Sequence, residues 1–201
     1  MNKFFLGLLV SCLIGQTNAA SFSEVGDAGE LLDTAQVTVG SGLLTSISGS
    51  LINLGQAPDD VDDIDLFKIF ISDTALFSVT VTSDLSADND STLFLFDSLG
   101  QLVDFSDDVI GLIPQFNPGD IDELSNGTYF LGFALYNTWP DASLTEPLSG
   151  WDRDPSPFQT GDYRLDLTGA EFSAVPEPTS IALLGLGLAG MGFSRKRKLP
   201  N

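Results

Sequence analysis

Three runs of acidic residues carry the side chains most able to do chemistry. They are Asp59, Asp60, Asp62, Asp63 and Asp65; Asp84, Asp88, Asn89 and Asp90; and Asp104, Asp107 and Asp108. In an extended segment, alternate side chains point to one side. Asp63-x-Asp65 and Asp88-x-Asp90 can therefore each aim two carboxylates at one cation, with Asp107 and Asp108 as further ligands. Calcium suits such a set, because it takes about six to eight oxygen ligands, largely carboxylates and carbonyls. None of the runs has the spacing of an EF-hand loop or of a glycine-rich nonapeptide repeat. Aspartate is also a common turn former, so a solvated acidic surface explains the same residues. Paired carboxylates suffice for glycoside hydrolysis as well. With 28 acidic residues present, abundance singles out no pair.

Other chemistries are excluded by composition. The chain has no histidine, and Cys12 is its only cysteine. A histidine base, a cysteine nucleophile within the body and a zinc or copper site built from these residues are absent. No disulfide can form within the body. There is no Gly-x-Ser-x-Gly elbow and no phosphate-binding loop, and the expectation is a protein that is not an enzyme. Both tryptophans, Trp139 and Trp151, lie in the proline-rich stretch 136–158 beside carboxylates. Exposed, they could stack on sugar rings. Packed, they would form a lid over a sheet edge. Arg153, flanked by Asp152 and Asp154, suggests a local ion pair. Asn126-Gly127-Thr128 fits a glycosylation sequon and equally a turn that opens a strand.

Charge is distributed unevenly. Lys3 stands near one end and Arg195, Lys196, Arg197 and Lys198 near the other. The residues between them hold three bases against all 28 acids, a net charge of −25. Such a body repels nucleic acid and anionic lipid and attracts cations. At the N-terminal end, Lys3, the apolar run from Phe4 to Gly15 and the small residues Thr17 and Ala19 predict a signal peptide over residues 1–20, cut by signal peptidase after Ala19 or Ala20. Leu9-Val10-Ser11-Cys12 also has the letters of a lipobox, although cutting there would leave a very short leader. At the other end, Ile181–Phe193 is a run of 13 uncharged residues. As a helix it spans about 20 Å, against a hydrocarbon core of about 30 Å. Residues 179–194 thus predict a short transmembrane helix, with the basic block retained in the cytoplasm. A span this marginal suits a temporary tether in the inner membrane.

Val175-Pro176-Glu177-Pro178, the Gly/Leu/Ala-rich span and Arg195–Lys198 together resemble the PEP-CTERM sorting signal of bacterial envelope proteins. The resemblance implies a tripartite signal over residues 175–201. In it Pro176, Glu177 and Pro178 are recognised by a membrane-embedded exosortase, which removes the tail and passes the protein to the cell surface. It also implies an association with exopolysaccharide and biofilm. Those three residues would be a substrate site for another enzyme.

The body, residues 21–174, has to position whatever chemistry exists. Its pattern has period two. Segments 44–51, 64–71, 75–83, 91–105, 127–137 and 162–172 read as strands, with 91–105 folding back at Asp97-Ser98-Leu99-Gly100. Short strands broken by Asp/Asn/Gly/Ser turns predict an all-β fold, an antiparallel β-sandwich or jelly roll. Phe67, Phe70, Phe77, Phe94, Phe96, Phe130, Phe133 and Leu165 are the expected core. The phrases "DIDLFKIFI", "STLFLFDSLGQLVDFSDD", "NGTYFLGF" and "GDYRLDLTG" resemble, in order, bacterial pre-peptidase C-terminal (PPC) domains, with residues 137–160 as an insertion. That resemblance implies a β-sandwich on an exported protein. A structural or adhesive role is expected, with a calcium-dependent carbohydrate-binding module or a hydrolase using paired carboxylates as alternatives.

Overall fold

The computed structural model describes residues 19–53, 61–62, 64–83, 90–153 and 159–173. The predicted signal peptide up to residue 18, Asp63, Asp88, Pro176, Glu177, Pro178, the tail helix and Arg195–Lys198 lie outside them. The described residues contain strands and turns and no α-helix. The first sheet runs β1 (Ala20–Ser23), β3 (Leu44–Asn53), β13 (Gln159–Thr168), β6 (Ser78–Ser83), β9 (Gln115–Phe116), with β4 (Val61–Asp62) paired to β3. The second runs β14 (Ala170–Phe172), β5 (Ile64–Ile71), β10 (Gly127–Leu135), β7 (Ser91–Phe96), β8 (Leu102–Ser106), with β2 (Gln36–Val37) paired to β5. A hairpin of β11 (Thr138–Pro140) and β12 (Trp151–Arg153) forms a separate two-stranded sheet.

The two sheets form a sandwich-like fold, but they are mixed, which corrects the expectation of purely antiparallel pairing. β1 runs parallel to β3, and β2 runs parallel to β5. The cause is the route of the chain. It leaves β1 in one sheet, places β2 in the other and returns to β3. A crossover of this length permits a parallel pair, which a tight hairpin cannot.

Alternation builds the interior. Phe67, Ile69 and Ile71 of β5 join Ile47, Leu51, Phe77, Val79, Leu165 and Phe133 in one buried cluster. The other parity faces outward from the second sheet, where Ile64, Leu66, Phe94, Phe96 and Phe130 form a second cluster. Leu31, Leu32, Leu148 and Trp151 cover that cluster. Residues 31–32 and the segment 138–153 therefore supply a third layer. This explains why β5 and β7 read as nearly continuous apolar runs, since both of their faces are buried. Of the expected core, Phe70 alone is only half-buried. It shares the parity of Ile64 and Leu66 but lies farther along β5. Phe116 and Tyr163, which were not expected there, are buried.

Segment 162–172, one strand by its sequence pattern, belongs to two. Gly169 turns the chain from β13 into β14 and so from one sheet to the other, with φ of 68°. A Cβ at Gly169 would sit 2.5 Å from the Asp73 carbonyl oxygen and 2.7 Å from the Phe77 nitrogen. The 91–105 hairpin closes as read: the Gly100 amide donates to the Asp97 carbonyl at 3.0 Å. Asp97 Oδ1 also accepts from the amides of Leu99 and Gln101, both at 2.9 Å.

Candidate functional site

Among the described residues, the most deeply placed carboxyl group is that of Asp65. It has the inward parity of Phe67 and is fully buried. The hydroxyl of buried Tyr163, reaching across from β13, donates to Asp65 Oδ2. Glu24, just beyond β1, approaches the same point and hydrogen-bonds Asp65. Its other partners are backbone amides: Ala28 donates to Oε1 at 2.9 Å and Ser50 to Oε2 at 3.0 Å. Burial raises the pKa of Glu24, and these hydrogen bonds offset part of the rise. Gly49 lies opposite Tyr163 in the β3–β13 register. A Cβ at Gly49 would collide with the Tyr163 hydroxyl and with Glu24 Oε2. The absence of a side chain there lets the three groups meet. An open cavity of about 410 Å³ lies over them, lined by Glu24, Ser48, Ser50, Asp162 and Tyr163. Asp27 joins Glu24 and Asp65, one oxygen from each lying within 4.8 Å of the others.

Asp65 was grouped in sequence with Asp63, which lies outside the described residues, and its described acidic neighbours are Glu24 and Asp27. The fold also joins residues from two different sequence runs. Asp90, Asp107 and Asp108 place one oxygen each within 4.8 Å. Asp90 precedes β7, and the two others follow its hairpin partner β8, so strand pairing brings them together. Burial first, and Asp108 second, raise the pKa of Asp107. Its Oδ1 is buried with no hydrogen-bond partner. Asp108 adopts a left-handed φ of 47°.

The third region lies where the edge strands β8 and β9 of the two sheets approach. The Ser106 hydroxyl donates to the Gln115 carbonyl at 2.7 Å and accepts from the Gln115 amide at 3.0 Å, tying the edges together. An open groove of about 490 Å³ follows this seam, lined by Asp104, Phe105, Asp107, Gln115, Asn117 and Asp120 among others. Gln115 Nε2 donates to Asn117 Oδ1 at 2.8 Å, and the Asn117 amide donates to Asp120 Oδ2 at 2.7 Å. Burial and the nearby Asp120 raise the pKa of Asp104, against the hydrogen bond it accepts from the Phe105 amide.

The two tryptophans have different surroundings. Trp151 packs edge-on against Phe94 and Phe96, and its Nε1 donates to the Glu30 carbonyl at 2.8 Å. Trp139 is 41% exposed and meets the ring of Phe105, itself 50% exposed, at 5.5 Å between centroids. Arg153 pairs with Glu30. The Asn126 side chain holds a turn, accepting from the Thr74 amide at 3.3 Å and donating to the Ser72 carbonyl. Sequence reasoning missed Glu24, Tyr163, Phe105, Asn117 and Asp120. The one available signal was Asp65 itself, a charge at an inward position of a strand whose other inward residues, Phe67, Ile69 and Ile71, are apolar.

These features describe an all-β, strongly acidic domain preceding the C-terminal tail. In that tail, residues 174–198 match the family model of the PEP-CTERM protein-sorting motif. The match spans Pro176, Glu177, Pro178 and the basic block, and it implies an exported protein, a substrate of exosortase on a route to the cell surface. No curated protein matches the chain.

Proposed function

We propose that this protein acts without catalysis at the cell surface or in the extracellular matrix, in a structural or adhesive role linked to exopolysaccharide and biofilm, after exosortase removes its tail. The observation that carries the reading is the sorting motif behind an acidic, sandwich-like body. The engagement of its most buried carboxylates supports the absence of catalysis: Glu24 accepts from two backbone amides and Asp65 from Tyr163. Such contacts hold side chains in place and leave them poorly disposed to shuttle protons to a substrate. The body belongs, on this reading, with PPC-type sandwiches, and signal peptidase starts the mature chain near Ala20. The test is Glu177→Gln. The variant accumulates at the inner membrane with its tail attached, whereas the parent protein is released. Equal release of both refutes recognition through Pro176-Glu177-Pro178.

A second reading, a calcium-dependent carbohydrate-binding module, is favoured by the meeting of Asp90, Asp107 and Asp108 and by a buried Asp107 oxygen without a hydrogen-bond partner. Hard oxygen donors of this kind fit calcium.

A further inference from the structure

We propose that the groove along the β8–β9 seam, with the exposed Phe105–Trp139 pair beside it, binds a neutral polysaccharide. This names the ligand class of the adhesive role above and does not depend on tail processing. Three observations converge on it.

The first is chemical type. Ionised carboxylates only accept hydrogen bonds. A groove bordered by Asp104, Asp107 and Asp120 therefore asks its ligand for donors, and it repels anions. Burial is the leading cause of the raised pKa of Asp104, and repulsion from Asp120 adds to it, a sign of the same negative field. Sugar hydroxyls supply donors without bringing negative charge.

The second is the aromatic pair. Phe105 and Trp139 are large rings left half-open to solvent, while Phe94, which meets Trp139 edge-on, is fully buried. Phe105 lines the groove and Trp139 adjoins it edge-to-face. Rings exposed beside acceptors suit a ligand with apolar C–H faces and polar edges, which is the anatomy of a pyranose.

The third is preorganisation. Gln115, Asn117 and Asp120 form a connected chain of hydrogen bonds, and Ser106 fixes Gln115 to β8. The polar wall is therefore set before a ligand arrives, which lowers the ordering cost of binding.

The test uses the purified full-length chain in mild detergent, run by affinity electrophoresis through gels containing hydroxyethylcellulose or galactomannan. Alginate serves as the anionic comparison, and spermine in a thermal-shift assay as the cationic one. The expected result is retardation by at least one neutral polymer and none by alginate. Phe105→Ala on β8 and Asn117→Ala just beyond β9 should each weaken the retardation about tenfold, the scale of one lost aromatic or polar contact. Both positions are exposed, and unchanged circular dichroism certifies the fold. Three outcomes overturn the proposal: no retardation by either neutral polymer, retardation unchanged in both variants, or a response to alginate or spermine alone. Loss of tail processing with binding intact would sink the sorting reading and leave this one standing.

Discussion

Replacing Tyr163 with Phe tests whether the Glu24–Asp65 contact is held together by one hydroxyl. The ring stays, so packing against Phe133, at 4.5 Å between centroids, is kept. What is lost is the donor to Asp65 Oδ2 at a site where Asp65 is fully buried. A hydrogen bond to a charged group contributes about 1.5–3 kcal/mol. In a domain of this size each kcal/mol moves Tm by about 2–4 °C, giving an expected fall of about 3–12 °C at pH 7.5. The effect has a pH signature. The hydroxyl favours the ionised form of the carboxyl pair, so removing it makes the pair hold its proton more tightly. The deficit should therefore be larger at pH 7–8 than at lower pH, where protonation removes the charge that the hydroxyl stabilises. Thermal melts followed by tryptophan fluorescence at several pH values read both effects. A fall of under about 1 °C, or a deficit independent of pH, would refute the assignment of Tyr163 as the donor that matters.

Gly169→Ala forces a side chain into a left-handed corner against the Asp73 and Phe77 backbone. It should cost about 2–4 kcal/mol in urea denaturation, the sum of backbone strain and overpacking. If calcium binds at Asp90, Asp107 and Asp108, saturating it at about 100 times Kd adds about 2.7 kcal/mol to stability. That gain should be absent with magnesium and absent in Asp107→Asn, as read by thermal melting in each salt. Glu24, Asp104 and Asp107 all have raised folded pKa values, with burial as the leading cause. Their contribution to stability is full below the ordinary carboxylate range and is lost as pH rises through the folded values. Urea midpoints should therefore be higher near pH 5 than at pH 7.5, and the opposite trend would count against buried carboxyls at these positions.

Alternation made the central strands legible. β5 falls on the expected segment 64–71, and β10 covers most of 127–137. The short edge strands were not legible. β1, β2, β4 and β9 span two to four residues each, too few for a period to declare itself, and the parallel pairing of β1 and β2 is set by the crossover between sheets. The break at Gly169 was visible only as a glycine, because nothing local says that the chain changes sheets there.

The sites were hidden for a related reason. Runs of aspartate in sequence suggested clusters, yet Asp107 and Asp108 meet Asp90 through the pairing of β7 with β8. Glu24 belongs to no run at all and reaches Asp65 only because β1 lies parallel along β3. A carboxylate's environment depends on which strand passes beside it, and that is a property of register. The local cue with diagnostic value was polarity out of phase. An aspartate where a strand's period demands an apolar residue must find a partner, because an isolated buried charge is too costly to keep. Tyr163 opposite Gly49 answers that demand: the tyrosine brings the donor, and the glycine leaves the space for it. The same reasoning in reverse applies at Phe105. A large ring left half-exposed on an edge strand, beside a second exposed ring and a preformed polar wall, is apolar surface out of place on an acidic domain, and a ligand with both apolar faces and hydroxyl edges is what would cover it.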